Sequence, residues 1–161
     1  ESCFLQTLES LIRARTAEGR KTAAQIKVHL GSVRSAVGRI EKLAARQPNA
    51  VQKRLRQKMK DVNGGSPASQ NRLDEEVAYL TQRYDVAEEI QRLRSHLGGA
   101  RDFLVRPGNE PAGKMLDFIA QELIREANTL NSKSQDIEMT RQGLLIKNEV
   151  ESIRQQVQNL E

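Results

Sequence analysis

Residues 113–133 read GKMLDFIAQELIREANTLNSK, and the spacing of their apolar side chains decides the fold class. Leu116, Ile119, Leu123, Ala127 and Leu130 recur in steps of three and four, which puts them on one stripe of an α-helix. The remaining faces carry Asp117, Gln121, Glu122, Arg125, Glu126, Asn128, Thr129, Asn131, Ser132 and Lys133. A solvated helix face is mostly Glu and Lys. This one mixes carboxylates, amides, hydroxyls and a guanidinium, the groups that bind metal, phosphate or base edges. Pattern alone favours the plainer reading of a well-decorated amphipathic helix, so function needs a second argument.

Downstream, Ser134, Ile137, Leu144, Ile146, Val150, Ile153, Val157 and Leu160 prolong the apolar stripe after one shift. Nothing between Asn131 and Asp136 forces a stop, so the helix is expected to run on, with room for a bend. Lys147, Glu151, Arg154 and Gln155 then share a face beside the seam. Upstream, Pro107, Gly108 and Pro111 form a turn. Before it, Arg72 to Val105 reads as one long helix. Its first seam is Leu73, Val77, Leu80 and Tyr84. Val86, Ile90, Leu93, Leu97, Ala100 and Leu104 continue it after a register shift.

Beside that seam, Asp85, Glu89, Arg92 and His96 follow one another at intervals of four, three and four, a polar stripe joined by Glu88. Carboxylates and a His on adjacent turns can ligate a divalent cation or pair a base with an acid. The plainer reading is a set of helix salt bridges, Glu88 or Asp85 with Arg92, beside an exposed His. His29 has no such company and reads as a surface residue.

The segment NGGSPASQN, residues 63–71, is the clearest break, rich in residues that disfavour regular structure. The charge balance changes sign there: residues 1–66 carry +9 and residues 67–161 carry −4, within a chain net charge of +5. The expected division is therefore a basic long-helix module over 1–66 and a second helical domain over 67–161. Within the first, Leu5, Leu8, Ile12, Arg15, Gly19, Thr22, Ile26, Leu30, Val33, Val37, Ile40 and Ala44 form one heptad seam, a helix of roughly 60 Å. Pro48 interrupts it. The following helix carries Lys53, Arg54, Arg56, Lys58 and Lys60, basic almost all round. That suits salt-sensitive phosphate contact, although a solvated charged helix looks the same. No aromatics are interleaved, so base stacking is not indicated.

Aromatics are 3% and apolar residues 37% of 161 residues, while 29% are charged. Long helices packing through narrow seams and completing their burial with other copies fit this composition. The expected architecture is all-α, long helices in antiparallel coiled-coil-like hairpins, assembled as a homo-oligomer. No stretch resembles a membrane span or signal segment, and the single Cys3 cannot make an internal disulfide, which is compatible with a cytoplasmic protein. The first residue is Glu1, which reads as a fragment. No phosphate-cradling Gly-rich loop, zinc-type Cys pair or Ser–His arrangement is present.

Taken together, the two polar stripes resemble the YicC/YloC family of bacterial stress-associated proteins, regarded as endoribonucleases. The family pairs an acidic helix ending near a His with a G-[RK]-x-L-D-F-x-x-Q-E-x-x-R-E-x-N-T block and a closing K-x-x-x-E-x-[IV]-R-x-Q-V-Q-N-x-E. Here these are Asp85, Glu88, Glu89, Arg92 and His96; then Gly113, Lys114, Leu116, Asp117, Phe118, Gln121, Glu122, Arg125, Glu126, Asn128 and Thr129, followed by Ser132 and Lys133; then Lys147, Glu151, Arg154, Gln155, Gln156, Val157, Gln158, Asn159 and Glu161. The resemblance covers residues 72–161, and the first 66 match only in character. Family members carry a further amino-terminal region to which nothing here corresponds. The resemblance implies RNA as substrate, divalent-metal dependence and a ring-like, hexameric assembly enclosing RNA.

On that reading, Glu88, Glu89, His96, Asp117, Glu122 and Glu126 are candidate ligands for Mn²⁺ or Mg²⁺, and His96, Glu122, Arg125 and Glu126 the candidate catalytic groups. Lys53, Arg54, Arg56, Lys58, Arg92, Lys133 and Arg154 are candidate RNA contacts. A metal-free route usually needs two His, and only His96 is suitably placed, so the metal route is preferred. Two rivals remain: an RNA-binding adaptor presenting transcripts to a partner ribonuclease, and a structural oligomerisation module.

Overall fold

The structure is a computed structural model and describes residues 2–47, 53, 57, 67–105 and 112–158. Five helices account for nearly all of them: α1 (Ser2–Ala44), α2 (Pro67–Arg83), α3 (Ala87–Val105), α4 (Ala112–Lys133) and α5 (Ile137–Val157). No strand occurs among the described residues, and no helix is long and apolar enough to cross a membrane. The all-α expectation is met.

Four of the helices share one core. Ile26, Val33, Val37 and Ile40 of α1 meet Val86 and Leu93, then Leu116, Leu123, Ala127 and Leu130 of α4, then Met139, Ile146, Val150 and Ile153 of α5. Residues on both sides of position 66 thus contribute to the same apolar interior. Each fully buried Val, Leu or Ile contributes about 1.5–3 kcal/mol. α2 makes no extensive contact with these four helices among the described residues.

Helix directions follow from cross-helix pairs. Glu89 meets Lys133 and Arg92 meets Glu126, so α3 and α4 are antiparallel. Asp117 meets Arg154 near one end of α4 and Asn131 lies against Gly143 near the other, so α4 and α5 are antiparallel too. Glu41 meets Arg94 while Leu30 and Arg34 border Leu97 and Arg101, which sets α1 against α3. The result is an up-down-up-down bundle closed by α1 against α5. Each seam carries a polar clamp: Glu41–Arg94, Glu89–Lys133 with Arg92–Glu126, Asp117–Arg154 and His29–Glu149. His29 therefore differs from the isolated surface residue that its sequence context implies, with Nδ1 2.8 Å from Glu149 Oε2.

The structure differs from the periodicity reading in four places. Only the second half of α1 packs: Leu5, Leu8 and Ile12 are exposed, because a 43-residue helix outruns partners of 19 to 22 residues. The expected helix 72–105 breaks at Tyr84–Val86, where the Ala87 N–H donates to Asp85 Oδ1 at 2.9 Å and Val86 turns into the core. That break absorbs the register shift. The helix opening at residue 112 stops at Lys133, and Asp136 starts another by accepting the Met139 N–H. In α5 the inward positions are Met139, Gln142, Gly143, Ile146, Val150, Ile153 and Val157, while Ile137 and Leu144 are 84% and 50% exposed.

Candidate functional site

The antiparallel register of α3 and α4 determines which polar groups meet. α3 presents Glu89, Arg92 and His96 on successive turns, and α4 presents Lys133, Glu126 and Glu122 in the reverse order. Each steps by three, four or seven residues, so all six follow the outer edge of one helix–helix seam. Leu93, Leu97, Leu123, Ala127 and Leu130 lie beneath them in the core.

Midway along this edge, His96, Glu122 and Glu126 converge. One ring nitrogen and one oxygen from each carboxylate all lie within 4.8 Å of one another. Glu126 is the most enclosed, its side chain only 5% exposed, while His96 and Glu122 are half-buried. Two carboxylates and an imidazole on rigid helices suit a borderline-hard divalent cation such as Mn²⁺. The same groups could instead share or pass protons.

Arginines frame the group. Arg92 lies between the two acidic elements, with Nη1 3.5 Å from Glu126 Oε1 and Nη2 donating to Glu88 one turn away. The charge of Glu88, aided by its hydrogen bond and by Glu126, holds the Arg92 guanidinium above its ordinary pKa. Arg125 is 73% exposed and its Nη1 lies 3.9 Å from Glu122 Oε2, so it retains most of its hydrogen-bonding capacity for a ligand.

The other candidate residues are placed elsewhere. Glu89 is buried one turn along the seam, where the Lys133 ammonium donates to Oε1 at 2.7 Å; its Oε2 is buried without a partner. Glu88 is exposed and held by Arg92, as the salt-bridge reading of the stripe anticipates. Asp117 faces α5, accepting from Arg154 Nε at 3.0 Å and from Gln121 Nε2 at 2.6 Å. Arg154 also reaches Glu151 and is held above its ordinary pKa, chiefly by the hydrogen bond to Asp117. Lys53 is exposed, and Arg54, Arg56 and Lys58 lie outside the described residues.

Periodicity gives no notice of the contact between α4 and α5. Asn131 Oδ1 is buried, without a hydrogen-bond partner, directly over Gly143, in the space a Cβ there would need. A lone glycine inside a helical run is the available signal.

The family described as "Endoribonuclease YicC-like, C-terminal" matches residues 40–161. The chain belongs to this family. All members of the convergent group fall within the matched YicC-like region. Two curated relatives align over almost the whole chain, each named "Probable endoribonuclease YicC". The one from Clostridioides difficile is 32% identical over 155 residues, covering 96% of this chain and 52% of the relative. The one from Haemophilus influenzae is 34% identical over 163 residues, covering 99% and 54%. The chain spans about half the length of the curated relatives it matches.

Proposed function

We propose that the chain is part of an endoribonuclease and that His96, Glu122 and Glu126 hold a divalent cation, Mn²⁺ or Mg²⁺, at its cleavage site. The supporting observation is the convergence of the three donors from two facing helices within 4.8 Å. Family membership and the names of the relatives supply the RNA.

Cleaving a phosphodiester requires activation of an attacking oxygen, neutralisation of charge on the five-coordinate phosphorus and stabilisation of the leaving oxygen. A bound divalent cation supplies Lewis-acid charge neutralisation. The chain's own groups do the rest. Arg125, largely free in solvent beside Glu122, would bind a phosphate oxygen by a charge-assisted hydrogen bond. Arg92 would position Glu126 by holding Oε1 and exchange that contact for phosphate when RNA arrives. His96 would serve as a ligand or carry the proton to the leaving oxygen. Lys133 and Arg154, engaged with Glu89 and Asp117, would act mainly in holding the seam.

Homo-oligomer formation, hexameric in the whole protein, is part of the proposal. Phe4, Leu5, Leu8, Leu11 and Ile12 are exposed on the projecting half of α1, which favours a further apolar partner. A bacterial cytoplasmic, stress-related role in RNA turnover completes it.

The test is cleavage of RNA by the purified full-length protein with Mn²⁺, with Mg²⁺ and with EDTA. Activity with metal, abolished by EDTA and by Glu122→Gln with Glu126→Gln, is the expected result. Wild-type rates in that double variant would remove the carboxylate site. RNA binding without cleavage under every condition would leave an adaptor for a partner ribonuclease.

A further inference from the structure

We infer that a line of cations on α1, together with the groove between α1 and α3, binds the RNA backbone away from the carboxylate group; this rests on the RNA reading above. Arg13, Arg20, Lys27 and Arg34 stand seven residues apart. Seven residues fall only about 20° short of two turns, so the four side chains follow one face of the helix. At about 1.5 Å per residue, neighbours are roughly 10 Å apart and the line is roughly 32 Å long. All four are exposed. Arg13 lies 3.7 Å from Glu9, whereas Arg20, Lys27 and Arg34 make no ion pair among the described residues.

Lys27 and Arg34 border a groove of about 380 Å³ whose opposite rim carries Arg101 of α3. Arg101 is also exposed and has no ion-pair partner among the described residues. Leu30 and Leu97 are buried beneath, and Gly31 leaves open space where a side chain would otherwise stand. Three cations around one groove repel each other unless a polyanion enters.

The other positions on this face of α1 indicate which polyanion. Glu9 and Glu41 close the two ends of the face, paired with Arg13 and Arg94, and between them lie Thr16, Ala23, Ala24, Gly31 and Gly38. None gives a protein partner a large side chain on which to anchor. All are small enough for a phosphodiester backbone to lie close. No aromatic lines the groove among the described residues, so base stacking is not indicated and contact is independent of sequence. The geometry therefore suits RNA phosphates running along α1 and across to Arg101.

The experiment measures binding of a short fluorescent 2′-O-methyl uridine homopolymer to the full chain across a salt series. The variant is Arg20→Gln, Lys27→Gln, Arg34→Gln and Arg101→Gln together, with Arg141→Gln as a control at an exposed arginine on α5. The four-fold variant should lose at least about ten-fold in affinity at low salt, and its slope of log affinity against log salt should fall by roughly 3. Its circular dichroism and melting should match wild type, since all four side chains are exposed. Wild-type affinity and slope in the four-fold variant would overturn this surface while leaving RNA binding elsewhere intact. Failure of the wild-type chain to bind the probe would overturn both this surface and the RNA reading. Displacement of the probe from wild type by polyglutamate as readily as by unlabelled RNA would overturn the assignment to a phosphate backbone.

Discussion

The Lys133 ammonium lies 2.7 Å from Glu89 Oε1 and joins the last turn of α4 to the first of α3 through a buried carboxylate. Glu89 Oε2 has no hydrogen-bond partner, so beyond the favourable N-terminus of α3 it is Lys133 that compensates for burying that charge. Lys133→Met should therefore cost about 3 kcal/mol, the lower end of the range for breaking a buried pair, because Lys133 is a third exposed. Glu89→Leu together with Lys133→Met removes both charges and should recover most of the loss. Urea unfolding of the two single variants and the double variant checks this. A double variant no more stable than Lys133→Met would mean the pair has another role.

Asn131 and Gly143 make a second coupled pair. A Cβ at 143 would overlap Asn131 Oδ1, so Gly143→Ala should destabilise by about 1–3 kcal/mol despite the better helix propensity of Ala. Asn131→Ala on its own removes an unpartnered buried oxygen. The double variant should then equal or exceed wild type, giving a coupling energy well outside the additivity error. Thermal melts of all four proteins would show it.

These two pairs also indicate how far the sequence could be read. The five-residue stripe of α4 was legible because steps of three and four admit one helical face, and all five residues are buried. The stripe Val86–Ala100 was legible for the same reason. Helix ends were not: the break at Ser134–Asp136 rests on Asp136 accepting the Met139 N–H and on the Ser134 hydroxyl bonding to Asp136 and Thr140, which periodicity does not register. That break resets the phase of α5, so Met139 points inward and Ile137 outward. Within the site, the polar stripes were visible, but which residues face each other depends on the register between helices. Register joins His96 to Glu122 and Glu126 and gives Asp117 to Arg154. Lys133, read as an RNA contact, is engaged by a buried acid that sequence alone could not place beside it.

Arg92 and Arg154 both have folded-state pKa values raised above the ordinary arginine value. A raised value means that the charged form is favoured on folding, so their contribution is fully present below the ordinary arginine value and is lost only as pH rises through the folded value. The stability difference between wild type and Arg154→Met should accordingly stay constant from about pH 6 to about pH 10. Urea midpoints across that range test the sign. A difference that grows or shrinks within it would show another titrating group acting through Arg154.

Arg92 and a cation would compete for Glu126. Nη1 sits 3.5 Å from Oε1, so a cation drawing on that oxygen would displace the guanidinium, and one on Oε2 would still meet its positive charge. Arg92→Ala should therefore bind Mn²⁺ more tightly, by about three- to ten-fold, equivalent to roughly 0.6–1.4 kcal/mol. The same variant should cleave RNA more slowly, having lost the guanidinium that would otherwise reach phosphate. His96→Ala and Glu122→Gln should each weaken Mn²⁺ by at least about ten-fold, since the group among the described residues has only three donors. Titration calorimetry reads affinity, and melting with added Mn²⁺ gives an independent check. At about 100 times Kd, bound metal stabilises the wild type by about 2.7 kcal/mol, and at that same concentration His96→Ala should retain about half or less. Unchanged Mn²⁺ stabilisation in both His96→Ala and Glu122→Gln would place the cation elsewhere. The opposing directions expected for Arg92→Ala separate a competing guanidinium from a merely structural one, whose loss would weaken metal binding and cleavage together.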